Sequence, residues 1–420
     1  MARSEKTIRA RTSPLALFGA VALLCFLIAG GFYFAGRSGT DLHRYKNDFN
    51  VYYFAAHEVI EGRDPYLNSL GDWTPYLYLP LLAELIIPLA LMPLQAAAYS
   101  WFLIGAASLL TAAWMSATLA LKNENESSGS KRFIIGALAV AIVIRFALDN
   151  FDYGQVNTLV AALCVSHVFL YEKNRKLTAA VALVLAASIK LTPLILLAGH
   201  LAKRRLRFAA ISVALFITIT AFTFAPFGSG ASGAFQTFFH RTVNNEQGFD
   251  LAYSGNQSLR GTVARLRGDN EESARVPSDP VTLAIALMML TASALTAMRK
   301  QGSWGSIASL FCCIPILSPL AWKGHFVVLI FPAAVLISKI ASTLRTKLSY
   351  GLIASLLTAF VLFNLTSPRV AGLATSEWVD RHSLIFVGAM VIYLATICSV
   401  WMGPGTIRDP QSNDNPPRVC

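Results

Sequence analysis

A dozen apolar runs, separated by short and mostly basic breaks, constrain this chain more than any other feature. The runs fall at 14–36, 97–121, 133–148, 157–171, 177–189, 192–201, 207–226, 280–298, 304–320, 325–339, 349–366 and 383–402. About 20 apolar residues are needed for a helix to cross the ~30 Å hydrocarbon core of a bilayer. The pattern predicts an all-α, polytopic integral membrane protein with about twelve transmembrane helices. Only 14% of the 420 residues are charged, with a mean hydropathy of +0.53, against roughly 25% charged in an ordinary soluble domain. A soluble enzyme this apolar could not cover its surface, and disorder or a disulfide scaffold fails for the same reason.

The charges orient the chain. The formal net charge is +12, from 35 basic and 23 acidic residues. In a soluble protein this excess would suggest nucleic acid; in a membrane protein it is first tested against the positive-inside rule. Arg3, Lys6, Arg9 and Arg11 precede the first run, which is too long for a signal-peptide core of about 7–15 residues. Further basic clusters lie at 122–132, 172–176, 202–207, 299–300 and 339–348. Another apolar stretch, 76–93, carries Pro80, Glu84, Pro88 and Pro93. If it lies in the membrane surface, every basic loop falls in the cytoplasm. If it crosses, parity sends 122–132 and the later basic loops outside. The surface helix is the better reading.

Segments 177–189 and 192–201 are each too short to span, yet both outer ends are basic. They read as a helical hairpin with Lys190, Thr192 and Pro193 at its tip. Both termini are then cytoplasmic, with outer loops 37–96, 149–156, 227–279, 321–324 and 367–382. Residues 1–402 form one membrane domain, and the polar, Pro-rich stretch 403–420 reads as a disordered cytoplasmic tail. No repeated block joins the two halves, which weighs mildly against a transporter built from inverted repeats. The six cysteines form no CxxC pair and suggest neither metal nor disulfide roles.

Unusual polar residues gather in the outer segments. Asp48 opens a stretch of helical periodicity; it is either an N-cap accepting backbone N–H groups or a general base at the membrane surface. Asp149, Asp152, Gln155 and Asn157 crowd a short loop, where polar groups are costly unless they face a polar cavity. Asn157 could simply cap the next helix, whereas Gln155 has no such local role. Lys190 could snorkel, but on so short a hairpin its ammonium suits an anion such as a lipid phosphate. Asn256, Gln257 and Ser258 could cap a short helix carrying Arg260, Arg265 and Arg267. Arg260, nearest that turn, is the first choice for phosphate. Trp322 could be an interfacial anchor, with Lys323 and His325 beside it as a second cationic spot. Together these describe a site for a sugar on a lipid phosphate. Asp48 serves as base, and Lys190, Arg260 and His325 hold the phosphate. Tyr52, Tyr53, Tyr78, Asp152, Gln155, Asn157, Asn256, Gln257 and Trp322 hold the sugar or the acceptor.

The ordered segments DFNVYYFAA, EGRDPY, YLYLP, LMP, YGQVN, AASIKLTPLILL, NQSLRG and SPLAW, followed by His325, resemble the polyprenyl-phosphate-mannose-dependent mannosyltransferases of glycosyltransferase family 87, in superfamily C. The resemblance covers all but the last fifth of the chain. It implies an inverting transferase with its active site on the outer face and an acid in the first outer loop as catalytic base; Asp48 is the matching residue. It also matches Lys190 to the lysine of the family's "iKltP" stretch, Gln155 and Asn157 to its "GQvN" pair, and Asn256, Gln257 and Ser258 to its "NqSl" turn. Leu79 departs from a common second proline before Pro80. Lys323-Gly324-His325 replaces a stretch usually richer in histidine.

The expected function is transfer of a hexose, mannose by resemblance, from a polyprenyl-phosphate sugar to a hydroxyl of a lipid-linked or cell-envelope glycan. The expected location is the plasma or inner membrane, with the site on the periplasmic or extracellular face. A lipid monophosphate donor needs no nucleotide pocket, and the chain has neither a P-loop nor a Rossmann glycine pattern. No cofactor and no nucleic-acid partner are expected. Asp48, Asp149 and Asp152 could share a divalent metal, but nearby Lys and Arg make one less necessary. A lipid-linked glycan transporter or flippase remains a rival, as does a superfamily C transferase with another sugar donor.

Overall fold

The computed structural model describes residues 14–39, 47–66, 75–122, 128–243, 250–268, 279–299 and 304–402. The expected tail 403–420 lies outside them, as do the basic N-terminus and parts of the outer loops. Among the described residues the chain is all-helical. The helices are α1 (Pro14–Gly36), α2 (Asp48–Ile60), α3 (Pro80–Ala90), α4 (Leu94–Ala120), α5 (Gly129–Tyr153), α6 (Asn157–Glu172), α7 (Lys176–Ile189), α8 (Leu196–Ala202) and α9 (Leu206–Phe224). They continue with α10 (Ala231–Phe238), α11 (Leu259–Arg267), α12 (Pro280–Arg299), α13 (Ala308–Ile316), α14 (Ile330–Ser342), α15 (Lys347–Phe360), α16 (Pro368–Ala371), α17 (Leu373–Arg381) and α18 (Leu384–Trp401).

Seven helical segments among the described residues are long and apolar enough to cross a bilayer, and six shorter apolar helices of 10–17 residues accompany them. These are the helices of a membrane protein. α4 lies at the centre, packed against α1, α5, α6 and α14, and α7 is wedged between α6 and α9. At 11 residues α3 is about 16 Å long, roughly half a hydrocarbon core. α7, at 14 residues, is about 21 Å long and ends at Lys190, whose φ of −138° and ψ of 130° are extended. A 3₁₀ turn, Thr192–Ile195, then leads into α8. The broken, short-armed element at 176–202 therefore has its break at Lys190.

The helices differ from the apolar runs where polar residues extend them. α5 runs past the apolar stretch to Tyr153, so Asp149 and Asp152 lie in its last turns and the expected eight-residue loop shrinks to Gly154–Val156. Gly154 ends α5 in the left-handed conformation, with φ of 62°, a region that favours glycine. A Cβ there would lie 2.6 Å from the Phe34 ring and 2.9 Å from Phe49 Cβ. The indole N–H of Trp101 donates to the Gly154 carbonyl at 2.9 Å. This turn is thus fixed by backbone chemistry, ring packing and a buried hydrogen bond together. Gln155 and Asn157 are placed by it.

Two ends of the bundle have different chemistry. At one end lie the basic breaks after α4, α6 and α8: Lys122 pairs with Glu172, and Lys203 donates to Ser306 at 3.0 Å. α6 starts from the opposite end at Asn157, and α5 and α7 finish there. The outer-loop helix α2 also begins among residues of that end.

Candidate active site

Asp48 is not the cap of α2. Asn47 holds that role: it is extended (φ −137°, ψ 151°), and its side-chain oxygen accepts from Asn50 N–H at 2.8 Å. Its amide donates to the Arg37 carbonyl at 3.1 Å and to Ser38 Oγ at 3.3 Å, which ties the start of α2 to the end of α1. Asp48 is the first residue of the helix, and its carboxylate is left to point away from the cap. Tyr52 follows four residues later on the same helix face. The Tyr52 and Gln155 side chains both hydrogen-bond the Asp48 carboxyl. Burial pushes this acid up to about 6, against the pull of the Lys190 charge and the two hydrogen bonds.

An aromatic wall supports α2. Phe49 stacks on Trp101 at 5.7 Å between ring centroids, and Tyr52 meets the same indole edge-on at 5.8 Å. The Tyr52 hydroxyl lies 3.0 Å from the Tyr78 hydroxyl. Tyr78 is held by its own backbone, whose carbonyl accepts from Tyr66 Oη at 2.6 Å. Burial keeps the Tyr78 phenol protonated well above its ordinary range, and the nearby Asp48 charge adds to this. Lys190 Nζ sits 5.9 Å from the centre of the Tyr78 ring, within range of a cation–π contact.

The second side of the site is cationic. Lys190 Nζ lies 2.5 Å from His325 Nε2. His325 opens from the turn after Trp322, whose carbonyl accepts from His325 N–H at 2.9 Å and lies 3.0 Å from His325 Nδ1. An ammonium can only donate, so Nε2 must accept from Lys190, which leaves Nδ1–H to donate to Trp322. Lys323, next in the turn, is anchored to Asp380 of α17 at 2.6 Å.

An amide chain joins the acid to the cationic turn. Asn157 Nδ2 donates to Gln155 Oε1 at 2.9 Å, and Gln155 in turn reaches Asp48. Asn150 donates to the Gly324 carbonyl at 2.9 Å and accepts from Asn157 N–H at 3.2 Å. Asp48, Tyr52, Tyr78, Gln155, Asn157, Lys190 and His325 are therefore brought together from five separated parts of the chain. Asn150 and Gly324 were not singled out from the sequence. Its place among Asp149, Asp152, Gln155 and Asn157 was the available signal for Asn150; Gly324 gave none.

The other candidate residues have different surroundings. Tyr53 Oη donates to the Met92 carbonyl at 2.8 Å and fixes the α3–α4 corner. Asp152 pairs with Arg369. Asn256 donates to the Leu251 and Pro319 carbonyls at 2.9 and 3.1 Å, and its oxygen accepts from Ala321 N–H at 3.0 Å. Gln257 donates to the Ser254 and Asp380 carbonyls at 2.6 and 2.8 Å. The Asn256 amide stitches the NQS turn to the segment that carries Trp322, and the Gln257 amide ties it to α17. Ser258 caps α11, with its hydroxyl accepting from Gly261 N–H at 3.1 Å. Arg260 is buried on α11, and the Trp322 ring packs edge-on against Tyr253 at 5.7 Å.

The fold and the cluster define a polytopic membrane protein in which a partly buried acid faces a lysine–histidine pair. The profile of glycosyltransferase family 87 matches residues 76–319, more than half of the 420, and the chain belongs to that family. Among curated relatives, the polyprenol-phosphate-mannose-dependent alpha-(1-2)-phosphatidylinositol pentamannoside mannosyltransferase of Mycobacterium tuberculosis is 26% identical over 290 residues, covering 67% of this chain and 64% of the relative. The protein of the same name from Mycolicibacterium smegmatis is 25% identical over 348 residues, covering 81% of each chain. The match thus spans just under two thirds of the first relative. No solved structure matches. Gln155, Asn157 and Lys190 fall within the family profile, whereas Asp48 and His325 lie outside it.

Proposed function

We infer that this protein is an inverting membrane glycosyltransferase that moves a hexose from a polyprenyl-phosphate sugar to a hydroxyl of a lipid-linked or cell-envelope glycan. Mannose is the sugar favoured by the printed names of both relatives. The observation that carries the reading is the pairing of a partly buried acid with a cationic pair. Asp48, held by Tyr52 and Gln155, faces Lys190, which contacts His325.

In the proposed reaction the acceptor oxygen forms a bond to the anomeric carbon as the bond from that carbon to the phosphate oxygen breaks. Asp48 takes the acceptor proton, and the bonding electrons leave with the polyprenyl phosphate. The phosphate gains a negative charge in this step, which Lys190 stabilises where water is scarce. Back-side attack inverts the anomeric centre. This charge balance is met by side chains, so the proposal includes no cofactor. Tyr52, Tyr78, Gln155 and Asn157 supply hydroxyls and amides around the acid, suited to sugar hydroxyls.

The reading places the site on the outer face of the plasma or inner membrane, with both termini in the cytoplasm. Support comes from the basic breaks, which the positive-inside rule assigns to the cytoplasm and which lie at the far end of α6 from Asn157. Purified protein incubated with radiolabelled polyprenyl-phosphate-mannose and a membrane lipid extract tests the reaction. Label should move to a new glycolipid. Unchanged donor with no new product, or donor carried across a vesicle membrane without bond cleavage, would overturn it.

A further inference from the structure

We propose that Asn150 and Gly324 form a positioning seam that sets the distance between the acid side and the cationic side of the site. This rests on the reaction just proposed. The two sides arrive from opposite directions: Asp48 and Gln155 from α2 and the α5–α6 turn, His325 from the turn before α14. Asn150 is the residue that holds both. It is 2% exposed in the last turns of α5. Its carboxamide donates to the Gly324 carbonyl at 2.9 Å and to Phe146 O at 2.7 Å, and it accepts from Asn157 N–H at 3.2 Å. Its backbone carbonyl accepts from Gln155 N–H at 2.9 Å. One side chain and one carbonyl thus clamp the Gln155–Asn157 turn on one side and the His325 turn on the other.

Gly324 makes the clamp close. A Cβ built there would lie 2.1 Å from Gln155 Oε1, 2.9 Å from Asn150 Nδ2 and 3.2 Å from Asn157 Nδ2. Three amides converge on a backbone that carries no side chain, and any larger residue must displace at least one of them. Gln155 is the amide with least room, and it is also the one that touches Asp48. Its hydrogen bond favours the ionised acid, so displacing it should leave the acid harder to ionise. Asn150 and Gly324 touch neither proposed reacting group, and each acts through a neighbour.

The test uses full-length protein in detergent, with Asn150→Ala, Gly324→Ala, their combination, and Asp48→Asn as a reference. Both single variants should stay folded but melt a few degrees below the parent, since each disturbs buried amides, with a KM for polyprenyl-phosphate-mannose within about threefold. Their kcat should fall roughly 10- to 100-fold, the cost of misplacing reacting groups by about an ångström. The acid limb of the kcat profile should move to higher pH, an effect that loss of folded protein alone cannot produce. Because the two residues act through one seam, the double variant should lose little more than either single one. An unmoved pH limb, a raised KM with unchanged kcat, or failure of both single variants to fold would overturn the seam. If Asp48→Asn keeps parental turnover, the underlying reaction falls instead. If Asp48→Asn is inactive while the limb stays fixed in the seam variants, only the seam falls.

Discussion

Replacing Asp48 with asparagine should make the protein more stable and nearly inactive, and the two effects have one cause. The acid titrates at about 6 instead of 3.8, chiefly through burial. Each pH unit is about 1.4 kcal/mol, so keeping this group ionised at neutral pH costs the fold about 3 kcal/mol. That figure is already net of the attraction from Lys190. An acid whose folded value lies above its unfolded one stabilises the fold relative to the ionised state below about pH 4, and this contribution is lost as the pH rises through about 6. An asparagine has nothing to ionise and can still accept from Tyr52. Melting curves of parent and Asp48→Asn should therefore nearly coincide near pH 4. Above about pH 6 the variant should melt a few degrees higher, following the lost 3 kcal/mol. Turnover should fall by about 10²–10⁴-fold above about pH 6, the usual contribution of a general base, and by less in acid, where the parent's own carboxylate is protonated. A variant no more stable than the parent at neutral pH, or a gap that does not grow from acid to neutral, would refute the assignment of a strained carboxylate. Unchanged transfer would refute its role as base.

Three further outcomes can be measured. Tyr52→Phe removes a hydroxyl that bonds Asp48 and lies 3.0 Å from Tyr78 Oη; a hydrogen bond to a charged group is worth about 1.5–3 kcal/mol. Turnover should drop roughly tenfold or more, and the acid limb of the pH–rate profile should shift upward. Asn47→Ala removes the α2 cap at a cost of about 1 kcal/mol, so a small loss of melting temperature should accompany a larger loss of kcat, read from the same preparation. Gly154→Ala combines φ of 62° with a Cβ 2.6 Å from the Phe34 ring; it should lower the melting temperature by more than the cap variant.

The membrane class was legible in the apolar runs because the hydrocarbon core demands a fixed length of chain. The break at Lys190 was legible for a related reason: two short arms with basic ends had to turn back between them. Asp48, Gln155 and Lys190 stood out because polar side chains near lipid are costly without a partner. Other features were hidden by distance along the chain. Arg145 donates to the Phe363 carbonyl at 3.0 Å, to Thr366 Oγ1 at 3.1 Å and to Ser376 Oγ at 3.0 Å, partners more than two hundred residues away. It ties the last fifth of the chain, where no motif was matched, to α5. Asn256 and Gln257 looked like ligand-binding amides because a turn that holds its own backbone and a turn that binds a sugar use the same residues. Of the two sequence readings of Asp48, the cap is removed by Asn47, which holds that role.

That neighbouring pair also makes the start of α2 a matter of register. Moving the first helical residue by one position would hand the capping role to Asp48, and its carboxylate would turn from the cationic pair toward the backbone of its own helix. A chain could keep every residue of the site and lose its reaction through such a slip. In reading other sequences of this kind, the acid alone is therefore a weaker marker than an acid directly preceded by a residue able to cap in its place.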